Sequence, residues 1–176
     1  EAISLTGFKT RSIISLSIIV IVMLLTFGIQ QHQLQKQRQN VVFANFASKL
    51  NEHTHSVALQ LQIYKKPNIQ RDSLKLQIIA DLSLLNESLN YLKNEQALPQ
   101  DSKQLISGTN GISALSAEFI DFSRQEISNA ADYASPLKFD TDSLRNLLSK
   151  QKELKSIIAR QIEKQHDFQV GILKQL

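Results

Sequence analysis

Two imidazoles, a carboxylate, an amide and a hydroxyl fall within the five residues Asn51-Glu52-His53-Thr54-His55. As a metal site the group fails on geometry. On a helix His53 and His55 project about 200° apart and cannot meet at one ion. One turn beyond His53, Ser56 and Val57 supply no second strong ligand. The segment reads better as a polar layer, with Thr54 in the apolar seam of its helix and His53 beside it. Such a layer fixes register in a bundle or holds a small polar ligand. His53 and Thr54 are therefore candidate ligand-binding residues.

Catalytic patterns are missing from the sequence. No G-x-S-x-G, P-loop or H-E-x-x-H motif occurs, and no cysteine is present to make a disulfide or a thiolate site. No catalytic residue, metal or cofactor is therefore expected, and no enzyme within this segment. The net charge of +4 is modest, and the basic residues lie scattered among acidic ones and glutamines. That gives no stripe for nucleic acid, so none is expected as a partner. The run Lys150, Lys152, Glu153, Lys155, Arg160, Glu163, Lys164 reads as a solvated helix face.

The element that positions everything else is the uncharged stretch Ser12–Ile29, SIISLSIIVIVMLLTFGI. At 1.5 Å rise per residue its 18 residues cover about 27 Å, close to the thickness of a bilayer core. Lys9 and Arg11 precede it, which predicts a cytoplasmic N-terminus under the positive-inside tendency. Lys36 and Arg38 follow on the far side and pull the other way. A signal peptide would have a shorter apolar region and a small-x-small cleavage site, which Gly28-Ile29-Gln30-Gln31 does not offer. The chain opens on Glu rather than Met, and is read as the front part of something longer.

With five Gly, three Pro and no Trp in 176 residues, turn chemistry for a sheet is scarce and an all-α chain is expected. The three prolines fall between apolar-periodic segments. The expected parts are a cytoplasmic lead (1–11), a transmembrane helix (12–29) and a four-helix bundle over 30–176. Its helices are expected at about 30–66, 69–95, 101–132 and 140–176.

The first helix carries Phe43, Ala47, Leu50, Thr54, Val57, Leu61 and Tyr64 at alternating steps of four and three. The second carries Ile78, Leu82, Leu85, Leu89 and Leu92, with Ile79 and Leu84 expected to widen its face. Leu105, Ile112, Leu115, Phe119 and Phe122 mark the third, with Asp101 as N-cap. Gly108 and Gly111 inside it read as a close approach or kink, or else as a gap for a ligand. Leu144, Leu147, Leu148, Leu154, Ile157, Ile158, Ile162, Phe168, Ile172 and Leu173 mark the fourth, capped by Asp140 or Thr141. Turns are expected at Pro67-Asn68, Pro99 and Ser135-Pro136, with the third helix fraying near Ala130–Tyr133. Short connections make neighbouring helices antiparallel, so the expected architecture is an up-down bundle.

A span leading into an extracytoplasmic helical bundle resembles the input domains of bacterial sensor histidine kinases and chemoreceptors. More narrowly, the chain is similar to the nitrate-sensor and type IV pili methyl-accepting N-terminal family. Asn45-Phe46-Ala47-Ser48 stands where that family has an Asn-Leu-Ala-Gly run. Leu89-Asn90-Tyr91-Leu92, Leu98-Pro99 and Phe119-Ile120-Asp121-Phe122 follow its rhythm. The family's arginines after that run are replaced here by Lys49, Leu50, Asn51 and Glu52.

The resemblance implies a bacterial inner-membrane receptor with its bundle in the periplasm. It implies a homodimer packed along helices one and four, a second span after Leu176, and relay by a small helix displacement. The implied stimulus is a small polar ligand or a periplasmic partner protein, with Asn45 and Lys49 of the matched run joining His53 and Thr54 as candidate ligand-binding residues. The implied output is a two-component histidine kinase, or else a chemoreceptor or cyclic-dinucleotide enzyme. A single-span scaffold subunit of a bacterial envelope complex is the alternative from another class.

Overall fold

The structure is a computed structural model and describes residues 2–66, 69–129 and 140–173. Among the described residues the chain is made of helices joined by short non-helical segments, without strands. The elements are α1 (Ala2–Tyr64), α2 (Arg71–Asn94), α3 (Gln100–Ser107), α4 (Ile112–Ser128) and α5 (Thr141–Leu173). The expected turns at Pro67-Asn68 and Ser135-Pro136, and the fraying near Ala130–Tyr133, lie outside the described residues. The chain divides into two units, Glu1–Gln39 and Asn40–Leu176.

The first unit holds the N-terminal part of α1, the one helix among the described residues that is long and apolar enough to cross a membrane. Its large side chains from Ile13 to Ile29 all stand at least 47% exposed, an apolar surface open on every side. In water that surface would be strongly unfavourable; in hydrocarbon it is the ordinary covering of a helix.

Within the second unit the heptad reading of α1 corresponds to the core. Phe43, Ala47, Leu50, Thr54, Val57, Leu61 and Tyr64 are each 2% exposed or less. From α2 come Ile78, Leu82, Leu85, Leu89 and Leu92, and from α5 come Leu147, Leu154 and Ile158. Each fully buried Leu or Phe adds about 1.5–3 kcal/mol of hydrophobic stabilisation. α4 packs on α5, α3 on both, and α2 on α3 and α4. Side chains of α1 reach α2, α4 and α5, the Tyr64 hydroxyl donating to Ile127 O of α4 at 3.4 Å, and Lys65, just past α1, pairs with Glu126 of α4.

Several expectations are corrected. Ile79 and Leu84 do not widen the buried face of α2 but stand 46% and 43% exposed. Each lies one residue from a seam position, Ile78 or Leu85, and is turned about 100° away from the core. Asp101 is not the N-cap of the third helix; Pro99 holds that place and Asp101 lies in the first turn.

The third helix itself is divided into α3 and α4. Gly108 closes α3 in an extended conformation, Asn110 takes φ 54°, and Gly111 opens α4. The positive φ suits Asn better than most residues. A Cβ on Gly111 would come within 2.7 Å of the carbonyl oxygens of Gly108 and Ile106, which explains the glycine. With the helix parted, Ile106 rather than Leu105 becomes the fully buried residue of α3. Phe168 on α5 also differs from expectation, standing 60% exposed.

Candidate functional site

The four residues singled out on α1 do not share one pocket. Asn45 and Lys49 are exposed. The Lys49 ammonium sits 5.6 Å from the Phe46 ring centroid, and Phe46 stacks on Tyr91 of α2 at 3.9 Å and 16°. His53 faces α2, and Thr54 faces α5. The successive residues diverge because one helical step is about 100°.

His53 belongs to a cluster built on Asp81 of α2. His53 Nδ1 lies 2.9 Å from Asp81 Oδ1, with both side chains under one-fifth exposed. Ser56 Oγ donates to Asp81 Oδ2 at 2.7 Å, and Gln60 Nε2 donates to the same oxygen at 2.9 Å. Residues 53, 56 and 60 follow a three-four spacing, so one stripe of α1 converges on a single carboxylate. With a carboxylate as its partner, Nδ1 carries the imidazole proton. The Ser56 hydroxyl gives its hydrogen to Asp81 rather than to His53, so the two side chains meet only through the shared carboxylate. The chemistry of the cluster is anchoring: it holds α1 against α2.

Thr54 belongs to a polar ladder between α1 and α5. Its hydroxyl donates to Leu50 O at 2.8 Å and accepts from Gln151 Nε2 at 2.9 Å. Gln151 Oε1 accepts from Asn51 Nδ2 at 3.2 Å. Thr54 and Gln151 are wholly buried, and every polar atom of this rung that faces the core is matched. A second rung lies at Asn40, whose amide donates to Gln165 Oε1 at 3.0 Å. Thr54 thus commits its hydroxyl hydrogen and one lone pair to these two bonds.

The sequence reading missed Asp81, Gln151 and Gln165. Gln151 was findable: Leu147, Gln151, Leu154 and Ile158 form a four-three-four seam, which puts a glutamine in a core slot. Asp81 carried no such signal, since its role depends on which turn of α2 stands beside His53.

A groove of about 490 Å³ runs between α1 and α5 and is lined by Asn51 and His55 with Leu148, Lys152 and Lys155. Arg145 also lines it, paired with Asp142 at 3.1 Å. The groove is therefore cationic, and His55 belongs to it rather than to the His53 cluster. No family model, curated protein or solved structure matches the chain, so these local arrangements carry the functional argument.

Proposed function

We propose that the chain is the membrane-anchored, extracytoplasmic sensory region of a signal-transducing receptor, with a two-component sensor histidine kinase as the preferred output. In this reading residues 12–29 cross a bacterial inner membrane with the N-terminus cytoplasmic. Residues 30–176 form an antiparallel up-down bundle in the periplasm, and two copies pack along α1 and α5. The pairs support the antiparallel arrangement: Asn40 meets Gln165 while Asn51 meets Gln151, so the register falls on α5 as it rises on α1.

The observation that carries the reading is the buried polar ladder between α1 and α5. An all-apolar seam tolerates small slips, whereas polar rungs favour discrete registers in which every amide is matched. Discrete packings of two long helices are what a relay needs, because a stimulus shifts an equilibrium only between distinct states. A small polar ligand or a partner protein touching Asn45, Lys49 and His53 would favour one packing, and α1 would move against α5. Thr54 then belongs to the relay rather than to the ligand contact.

The test is to read the coding region beyond Leu176. The reading expects a second apolar run of about 20 residues followed by a cytoplasmic signalling region. A stop codon at that point would refute it and favour a single-span scaffold. The exposed Leu76, Ile79 and Leu84 of α2 also suit the scaffold as a docking face.

A further inference from the structure

A second cleft lies where α3 breaks into α4, facing α5. Its volume is about 440 Å³, within the roughly 300–1,000 Å³ range of small-molecule sites. Four ionisable side chains line it, two of each sign: Asp101, Glu153, Lys150 and Arg160. None of the four forms an ion pair among the described residues. On α5, Lys150, Glu153, Ile157 and Arg160 follow a three-four-three spacing and share one face. Ile157 and Leu105, both half-buried, give the cleft an apolar floor.

The helix break belongs to the same place. Gly111, which opens α4 and has no side chain to cap it, lines the cleft. An uninterrupted helix from 100 to 128 would run straight through this point. The glycine-rich turn instead parts the two legs, at the positions where the sequence allows either a kink or a gap for a ligand.

We propose that this cleft binds a small zwitterion of the α-amino-acid type. Two cations and two anions sum to zero, so a simple anion or cation meets as much repulsion as attraction there. A molecule carrying both charges a few bonds apart can satisfy both. Its carboxylate pairs with Lys150 and with the guanidinium fork of Arg160. Its ammonium pairs with Asp101 and Glu153, and an apolar side chain rests on Leu105 and Ile157. The site uses no residue of the α1–α2 cluster or of the α1–α5 ladder, so it stands whether or not the relay reading does.

The experiment is calorimetric titration of the full chain in lipid nanodiscs with L-leucine, N-acetyl-L-leucine and L-leucine methyl ester. L-leucine is expected to bind saturably with a Kd at or below about 1 mM, and each blocked derivative at least about tenfold more weakly. Arg160→Met and, separately, Asp101→Asn are expected to weaken L-leucine about tenfold with unchanged helical circular dichroism. Both side chains are exposed, so neither substitution removes core packing. Absence of saturable heat with L-leucine, equal binding of the blocked derivatives, or unaltered binding by both variants would each overturn the proposal.

Discussion

Gln151 is the residue whose replacement tests the ladder most sharply. It is wholly buried, donates to Thr54 at 2.9 Å and accepts from Asn51 at 3.2 Å. Gln151→Ala removes two hydrogen bonds, each with a net value of about 0.5–1.5 kcal/mol. It also removes at least one buried methylene, worth about 0.8 kcal/mol, and leaves a hole. The sum is about 2–4 kcal/mol, a drop of roughly 30-fold to 1,000-fold in the folded-to-unfolded ratio.

Gln151→Leu should behave very differently. Leucine refills most of the volume, Thr54 still donates to Leu50 O at 2.8 Å, and half-buried Asn51 can turn to water. No buried donor is orphaned, so the cost should stay within about 1 kcal/mol. Urea unfolding of the full chain in mild detergent, followed by helical circular dichroism, gives both numbers. An alanine variant within about 0.5 kcal/mol of the parent, or a leucine variant as damaged as the alanine one, would refute the reasoning.

The same assay checks three further expectations. Asp81→Ala takes the shared acceptor from His53, Ser56 and Gln60 and should cost about 1–3 kcal/mol, with Asp81→Asn costing less because one oxygen remains. Gly111→Ala would drive a Cβ to 2.7 Å from two carbonyl oxygens and should destabilise by about 1–3 kcal/mol, whereas Gly171→Ala meets nothing within 4 Å and should stabilise by about 0.5–1 kcal/mol. At the start of α5, the Asp142 backbone N–H and then the Ser143 hydroxyl hold the Asp140 carboxyl below its ordinary 3.8. Its folded value is thus the lower one, so its stabilisation is present above the unfolded value and is lost as pH falls through the folded one. Asp140→Ala should therefore weaken the chain near neutral pH and match it in strong acid.

Much of the fold was legible because helical cores obey a short arithmetic. The four-three alternation from Phe43 to Tyr64 and from Ile78 to Leu92 depends only on residue spacing, and those residues are the core. Ile79 and Leu84 show where composition misleads: an apolar residue one step off the seam is exposed unless a neighbour covers it. The division of the third helix was signalled by Gly108 and Gly111, but the left-handed turn at Asn110 was not.

The candidate site was less legible for a related reason. Within α1, spacing placed Thr54 in the seam and His53 beside it. Which turn of α2 or α5 stands opposite is a register between helices, and no pattern within one helix encodes it. Asp81 and Gln151 therefore acquire their roles only through that register.

The relay reading requires α1 and α5 to have two registers of similar free energy, selected by the polar rungs. The chain has no cysteine, so nitroxide labels can be placed cleanly by His55→Cys and Lys152→Cys, at the two sides of the cationic groove. The direct measurement is the electron–electron distance distribution between them, in the full chain in nanodiscs, with and without Thr54→Val and Gln151→Leu. Loss of the rung should move the mean distance by about 1–2 Å or change the ratio of two populations, the scale of an interfacial helix shift. An identical distribution in both proteins would contradict the relay and leave the ladder as a structural fastening alone.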